Sequence, residues 1–503
     1  MHETHDAGAR RVRPILLAAA AVLVALAYTQ VRSSLGHEAK RPGAPGGERF
    51  GNGVVVRGDG VGYYAWLRSL LIDGDWQFDN EFDELNPTGS WVPTARTPAG
   101  YRANQWSVGP PCVWSPVVAS CHALVSSGAF GSYAPDGFSL PYQLAVALVG
   151  LAGGLVALVL MFRIGCRFAD PVAAAAAAAC VALGSTFAYY TAVEPSLAHG
   201  LAATALLLFV AYWLRDFGSV SVRRWLVLGG LLGASALMRW QLATFGVVLI
   251  GELVWTASTA RPRPSVGRFC RVGAALGAGL FVGVLPQLVA WRIVYGAWLV
   301  EPMPLAHNWL APDIGRVLVS FERGFFYWTP ITLLAVLGTL VAVRRGTPER
   351  RVQAGLLLFA VGVQVYALAS LTGPGVFLGA AYGYRFLTES AVLLVPGLAT
   401  VFALRSRWAA GAVTVGCVLV GWNLLLMGAY RYGQLPDTAA PAELWRAVRW
   451  YATSALTYRE RAWIGVAACA FFAAVLRCRW SRFAVTEAPA ARSADPAPVR
   501  RAA

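Results

Sequence analysis

The chain reads as an all-α polytopic membrane protein of about 12 transmembrane helices with one long first extracytoplasmic loop containing a juxtamembrane helix. Three observations predict this. Of its 503 residues, 57% are hydrophobic and only 14% are charged, whereas soluble domains carry about 25% charged residues. Apolar runs near the roughly 20 residues a helix needs to cross a bilayer recur along the chain. Arginines gather in short clusters between those runs, and Lys40 is the one lysine.

The runs are Pro14–Val31, Tyr142–Phe162, Pro171–Tyr189, Leu197–Leu214, Trp225–Met238, Gln241–Ala257, Val272–Trp291, Phe326–Val343, Val352–Leu371, Glu389–Leu404, Trp408–Met427 and Ala462–Leu476. Only Arg239 and Trp240 separate two short runs within 225–257. Arg10, Arg11 and Arg13 precede the first run, and every second connection after it is basic, as at Arg163/Arg167, Arg215/Arg223/Arg224, Arg344/Arg345 and Arg405/Arg407. Positive residues stay inside, so both termini are expected in the cytoplasm of a multi-pass protein of the inner (plasma) membrane. The net charge of +16 is thereby spent on orientation, which excludes a nucleic-acid partner. "ALA" at Ala25–Ala27 resembles a signal-peptidase site, but the run exceeds the usual signal length and is read as a retained helix.

The expected organisation is a cytoplasmic N-terminus at 1–13, a first span at 14–31 and an extracytoplasmic loop at 32–140. A polytopic domain follows at 141–476, with a disordered cytoplasmic tail at 477–503. The loop opens with the flexible "KRPGAPGGE". Cys112 and Cys121 lie in it, either paired in an oxidising compartment or as two free thiols. The eight cysteines form no metal-ligand spacing, and no P-loop or GxGxxG indicates a nucleotide.

Early in the loop stands "RGDGVGYYAWLRSLLIDGD". Tyr63, Trp66, Leu67, Leu70 and Leu71 fall on one face of a short helix, expected to lie flat at the membrane surface with its aromatics at headgroup level. Asp59 precedes this helix in a turn of Gly58, Gly60 and Gly62 that lets backbone approach a ligand; Asp73 and Asp75 close its far end. The competing reading makes Asp59 a helix cap. Further polar residues collect near span ends on the same side: Glu194, His199, Arg239, Gln241, His307, Arg323, Arg385 and Glu389. Ionisable groups at such depth point to function, and an acid among arginines suits an anionic, lipid-linked substrate.

With "GDGVGYY", "NQWSVGPPCVWSPVVASCH", "YYTAVEPSLAHG", "ALMRWQ", "RGFFYWTPITLLAVLG" and "YGYRFLTESAVLLVPGLA", the chain resembles the GT-C superfamily of membrane glycosyltransferases. The likeness is nearest to bacterial members related to the protein O-mannosyltransferases and lipid A aminoarabinose transferases. The resemblance implies a GT-C-like fold, a polyprenyl-phosphate-linked sugar donor and transfer to a hydroxyl of a glycan, lipid or protein on the extracytoplasmic face. It casts Asp59 as the general base. A phosphate leaving group calls for cations, for which Arg239 and Arg385 are the candidates. Tyr63, Glu194, His199, Gln241, His307 and Glu389 are the expected substrate-binding residues. Gly60 follows Asp59 where many relatives have a second acid, so no metal or other cofactor is expected. The rival reading is a transporter or a flippase for lipid-linked sugars, although no inverted repeat is evident. A non-catalytic assembly subunit is a third.

Overall fold

The computed structural model describes residues 2–38, 55–86, 92–131, 133–301, 305–372, 381–404, 407–436, 438–455, 472, 473 and 475. The expected linker at 39–54, the tail at 477–503 and nearly all of the expected span Ala462–Leu476 lie outside the described residues.

The chain enters through α1 (His2–Glu38) and then builds a small helical layer from the first loop: α2 (Asp59–Arg68), α3 (Asp79–Leu85) and α4 (Gly109–Ser126). The bundle follows with α5 (Leu140–Gly165), α6 (Pro171–Gly184), the short α7 (Thr186–Ala188), α8 (His199–Arg215), α9 (Val222–Met238), α10 (Val247–Thr259) and α11 (Val266–Tyr295). Next come α12 (Ile314–Val319), α13 (Phe325–Trp328), α14 (Ile331–Arg345), α15 (Pro348–Ala369), α16 (Thr388–Val392), α17 (Val395–Phe402), α18 (Arg407–Arg431) and α19 (Pro441–Ala455). Two short strands, β1 (Ala306–His307) and β2 (Leu371–Thr372), pair antiparallel.

The chain is a multi-pass membrane protein. Among the described residues, six helices are long and apolar enough to cross a membrane, or eight if each of two bent pairs counts as one span. Two of the expected spans, Pro171–Tyr189 and Glu389–Leu404, fall on the bent pairs. The helix after Pro171 bends by 69° where α6 meets the 186–193 segment. There Ser185 is extended and its hydroxyl accepts from the Phe187 amide at 3.3 Å. The second bend, of 49°, lies between α16 and α17, just ahead of Pro396, which has no amide hydrogen to continue the ladder. At Arg239 the backbone is extended and the chain turns back through a 3-10 segment, Trp240–Gly246.

Small residues set the helix spacing. The alanines Ala173–Ala179 of α6 are all buried, and α6 packs against α1, α5, α17 and α18. Between α9 and α11 the backbones touch: a Cβ on Gly279 would lie 2.0 Å from the Leu226 carbonyl oxygen, and one on Gly233 2.7 Å from that of Leu280. Gly229/Gly233 and Gly279/Gly283 are each four apart, the small-xxx-small pattern by which helices approach closely in lipid.

The first loop departs from expectation. Helix α2 is buried from Gly60 to Arg68 and so is Ser69 after it, with Tyr63, Trp66 and Leu67 inside the protein and only Leu70 of the expected apolar face exposed. Its aromatics are packed within the protein and not among headgroups, because α3 and α4 pack against it. Its glycines serve protein contacts: a Cβ on Gly60 would meet the Ser196 hydroxyl at 2.4 Å, and one on Gly62 the Trp106 ring at 1.8 Å. Cys112 and Cys121 are both free thiols on α4; nine residues of helix hold them about 13 Å apart, too far to bridge.

The glycine contact yields a paired prediction. Gly279→Ala should lower the thermal midpoint of the purified protein, by an overpacking cost of about 1–3 kcal/mol. Gly273→Ala, on the same helix with open space around it, should leave the midpoint unchanged or raise it. Equal midpoints for the two variants in detergent would contradict the backbone contact.

Candidate functional site

Asp59 is the first residue of α2. Before it, Gly58 adopts φ 54° and ψ −141°, a conformation open only to glycine. Helix α2 has no side-chain capping bond at its start, so Asp59 is not used as a cap. Its Oδ2 lies 3.3 Å from Nη1 of Arg385. Arg385 opens a 3-10 turn, Arg385–Leu387, just before α16. Both its guanidinium and that of Arg239 lie over the Phe386 ring, with the central carbon 5.2 Å and 5.8 Å from the centroid.

Behind this pair sits a buried cluster. His199 Nδ1 is 2.8 Å from Glu389 Oε1, and its Nε2 is 3.4 Å from Arg239 Nη1. Arg239 Nε is 3.7 Å from the same carboxylate oxygen. Arginine only donates, so Nε2 of His199 accepts, and the proton on Nδ1 is donated to Glu389. The imidazole is thereby assigned as neutral from its partners. Arg239, His199 and Glu389 are 6%, 0% and 1% exposed. Arg239 Nε, Arg385 Nε and Glu389 Oε2 are buried without a hydrogen bond.

Of the other expected residues, Tyr63 is buried edge-on against Trp114 at 6.4 Å. Burial pushes its phenol up to about 12, with Asp59 adding to the rise while Arg239 and Arg385 oppose it. Gln241 donates from Nε2 to the Phe386 carbonyl at 3.1 Å, steadying the residue under both guanidinium groups. Glu194 is bound by Arg57, two residues before Asp59, at 2.6 and 2.9 Å. His307 is exposed and stacks on Trp309 at 4.7 Å, and the structure does not bring it to the Asp59 cluster. Arg323 is buried in a left-handed conformation, φ 63°, in the turn before α13. Arg57 was overlooked in the sequence although it begins the RGDG stretch; so was Phe386.

Arg68 holds the loop that presents Asp59. From the last turn of α2 its Nη1 reaches Asp73 at 2.5 Å and Glu81 at 2.7 Å, and its Nε donates to the Asp136 carbonyl at 2.7 Å. Asp73 also accepts from Asn80, and Asp75 accepts from the Ser69 hydroxyl and the Gln77 amide. The two acids expected merely to close α2 thus organise the chain beyond it. Trp66 donates to the Trp106 carbonyl at 2.9 Å, and Ser107 to the carbonyl of Met238, next to Arg239, also at 2.9 Å. Among the described residues, no three His, Cys, Asp or Glu side chains are grouped so as to hold a metal ion.

The helical membrane bundle with its folded first loop is a GT-C-like fold. The particular likeness is to ArnT from Cupriavidus metallidurans, a lipid A aminoarabinose transferase. Its apo structure matches with TM-score 0.50 at 17% identity, over 92% of this chain and 75% of that one. The same protein bound to undecaprenyl phosphate gives 0.49 at 17% identity, over 92% and 75%. The Archaeoglobus fulgidus oligosaccharyltransferase in complex with Zn and sulfate gives 0.44 at 15% identity, over 82% and 55%. No protein-family model matches the chain, and no curated protein matches it significantly.

The Arg68 hub generates a pH prediction. Burial pushes the Glu81 carboxyl up to about 7 from an ordinary 4.5, against the downward pull of Arg68. A group that binds its proton more tightly in the folded state stabilises most below its unfolded value and loses that contribution as pH rises through the folded one. Stability should therefore fall between about pH 4.5 and 7 through this group, and Glu81→Gln should flatten that part of the curve. Thermal unfolding of both proteins from pH 5 to 8 measures it; parallel curves would refute the assignment.

Proposed function

We propose that the protein is a membrane glycosyltransferase that moves a sugar from a polyprenyl-phosphate-linked donor to an acceptor hydroxyl, with Asp59 as general base. The observation that supports it is the convergence of residues 59, 239 and 385, far apart in sequence, into one carboxylate facing two guanidinium groups. Asp59 takes the proton of the acceptor hydroxyl as its oxygen attacks the anomeric carbon. The bond from that carbon to the phosphate oxygen breaks, and its electron pair leaves with the phosphate. The ring passes through an oxocarbenium-like state. Negative charge grows on the departing phosphate, and the buried Arg239 and the partly exposed Arg385 meet it with guanidinium donors.

The fold shared with ArnT, which has been solved with undecaprenyl phosphate, favours a polyprenyl carrier. The alternation of arginines favours a site on the extracytoplasmic face of the plasma membrane, with both termini inside. Aromatic residues crowd the same end: Tyr189 stacks on Tyr382 at 5.1 Å, and Tyr190 lies 4.6 Å from His199.

Asp59→Asn keeps the size of the side chain but removes its basicity. It should lower transfer at least ~100-fold, while the protein still binds polyprenyl phosphate. Near-normal turnover in the purified variant would remove Asp59 from the mechanism. Mass spectrometry of envelope glycolipids and glycoproteins, with and without the active protein, identifies the acceptor; a change in neither class would speak for the flippase reading.

Sidedness has its own test. Single cysteines placed at 92–105 should react with a membrane-impermeant thiol reagent in whole cells, and cysteines at 344–351 should not. The opposite labelling pattern would overturn the assignment of the chemistry to the outer face.

A further inference from the structure

We propose that the two arginines have different duties: Arg239 is a fixed anchor for the donor phosphate, positioned by Glu389 and His199, and Arg385 is an exchangeable counter-ion that holds Asp59 until the phosphate takes it over. This rests on the donor reading above and adds an order of events to it.

The surroundings of the two guanidinium groups differ. Arg239 is backed by two side chains that are themselves buried, His199 at 3.4 Å and the Glu389 carboxylate at 3.7 Å, and it is 6% exposed. Glu389 fixes the imidazole through Nδ1 at 2.8 Å, which leaves Nε2 as the acceptor facing Arg239. None of these three side chains can turn away without leaving a buried charge or polar atom alone, at high cost. Glu389 and His199 are therefore positioning residues, set behind the arginine and away from the substrate.

Arg385 is held differently. Its side chain is 16% exposed, and its ion-pair partner among the described residues is Asp59, itself 22% exposed, through one contact at 3.3 Å. A single, partly hydrated contact of this kind is weak. A phosphate reaching the clamp meets both guanidinium groups at once, and charge-assisted bonds to two arginines outweigh one loose carboxylate contact.

The exchange alters Asp59 as well. Without donor, the two arginines are balanced by Asp59 and Glu389. With donor, Asp59 loses its ion-pair partner, and its carboxylate is left free to take the acceptor's proton. The acceptor hydroxyl is thus activated only after the donor is seated.

The test is a binding titration of undecaprenyl phosphate, with undecaprenol as the uncharged control, against the full-length protein in nanodiscs. Removing the competing carboxylate should tighten phosphate binding: Asp59→Asn and Asp59→Ser should each lower Kd by ~3–10-fold and leave undecaprenol unaffected. In an Arg385→Ala background the same Asp59 substitutions should have no effect on Kd, a coupling that a purely structural role would not produce. Glu389→Gln should weaken phosphate binding ~10-fold or more, with Asp59→Asn still tightening it in that background. Unchanged or weakened binding in both folded Asp59 variants overturns the exchange, and a Glu389→Gln protein binding like wild type overturns the anchor. Failure of the wild-type protein to bind undecaprenyl phosphate would refute the donor reading itself, a result distinguishable from either.

Discussion

Two guanidinium groups at the end of an apolar bundle impose the constraint on which the rest of this structure depends. A buried cation without a partner costs several kcal/mol, so every arginine drawn into the interior needs a carboxylate brought to it. Here the carboxylates come from different places. Glu389 is supplied by α16, four residues after Arg385, while Asp59 is supplied by the first loop from across the chain. The folded loop holds this acid beside Arg385.

Meeting that requirement uses two kinds of packing. In the bundle, Gly229, Gly233, Gly279 and Gly283 bring α9 and α11 into backbone contact, and α9 ends at Arg239. In the loop, Arg68 joins the end of α2 to Asp73, Glu81 and the Asp136 carbonyl, while its guanidinium lies 3.9 Å from the centre of the Phe138 ring. One device is apolar and works by closeness. The other is polar and works by satisfying several buried groups from one cation.

Much of this was legible in the sequence, though unevenly. The apolar runs located the bundle because lipid tolerates little else. The bends at Ser185 and before Pro396 were not legible, since a hydropathy count does not register a break in the backbone. The acids and arginines of the site could be singled out because an ionisable group at a span end is rare. Asp59, Arg239 and Arg385 do meet, and His199 and Glu389 lie behind them, but His307 stands apart on its strand. Helix α4 lay unassigned within the long first loop; of its three prolines, Pro110 and Pro111 occupy the first turn, where proline is tolerated. Helix α2 was placed on the membrane surface because its apolar face showed in the sequence while the α3 and α4 cover did not.

The bond from Ser107 to the Met238 carbonyl has a wider consequence. Asn104 donates to the Gly62 carbonyl on α2 at 2.9 Å and accepts from the Trp106 amide at 3.1 Å; one residue on, Ser107 reaches the residue before Arg239. The spacing between Asp59 and Arg239 is therefore measured along a path made wholly of protein. Bilayers differ in thickness by several ångströms, and helices answer such differences by tilting. A site gauged through Asn104 and Ser107 keeps its dimensions while the surrounding helices tilt. Lipid composition would then govern how substrates reach the protein, leaving the geometry that awaits them the same in a thin membrane and a thick one.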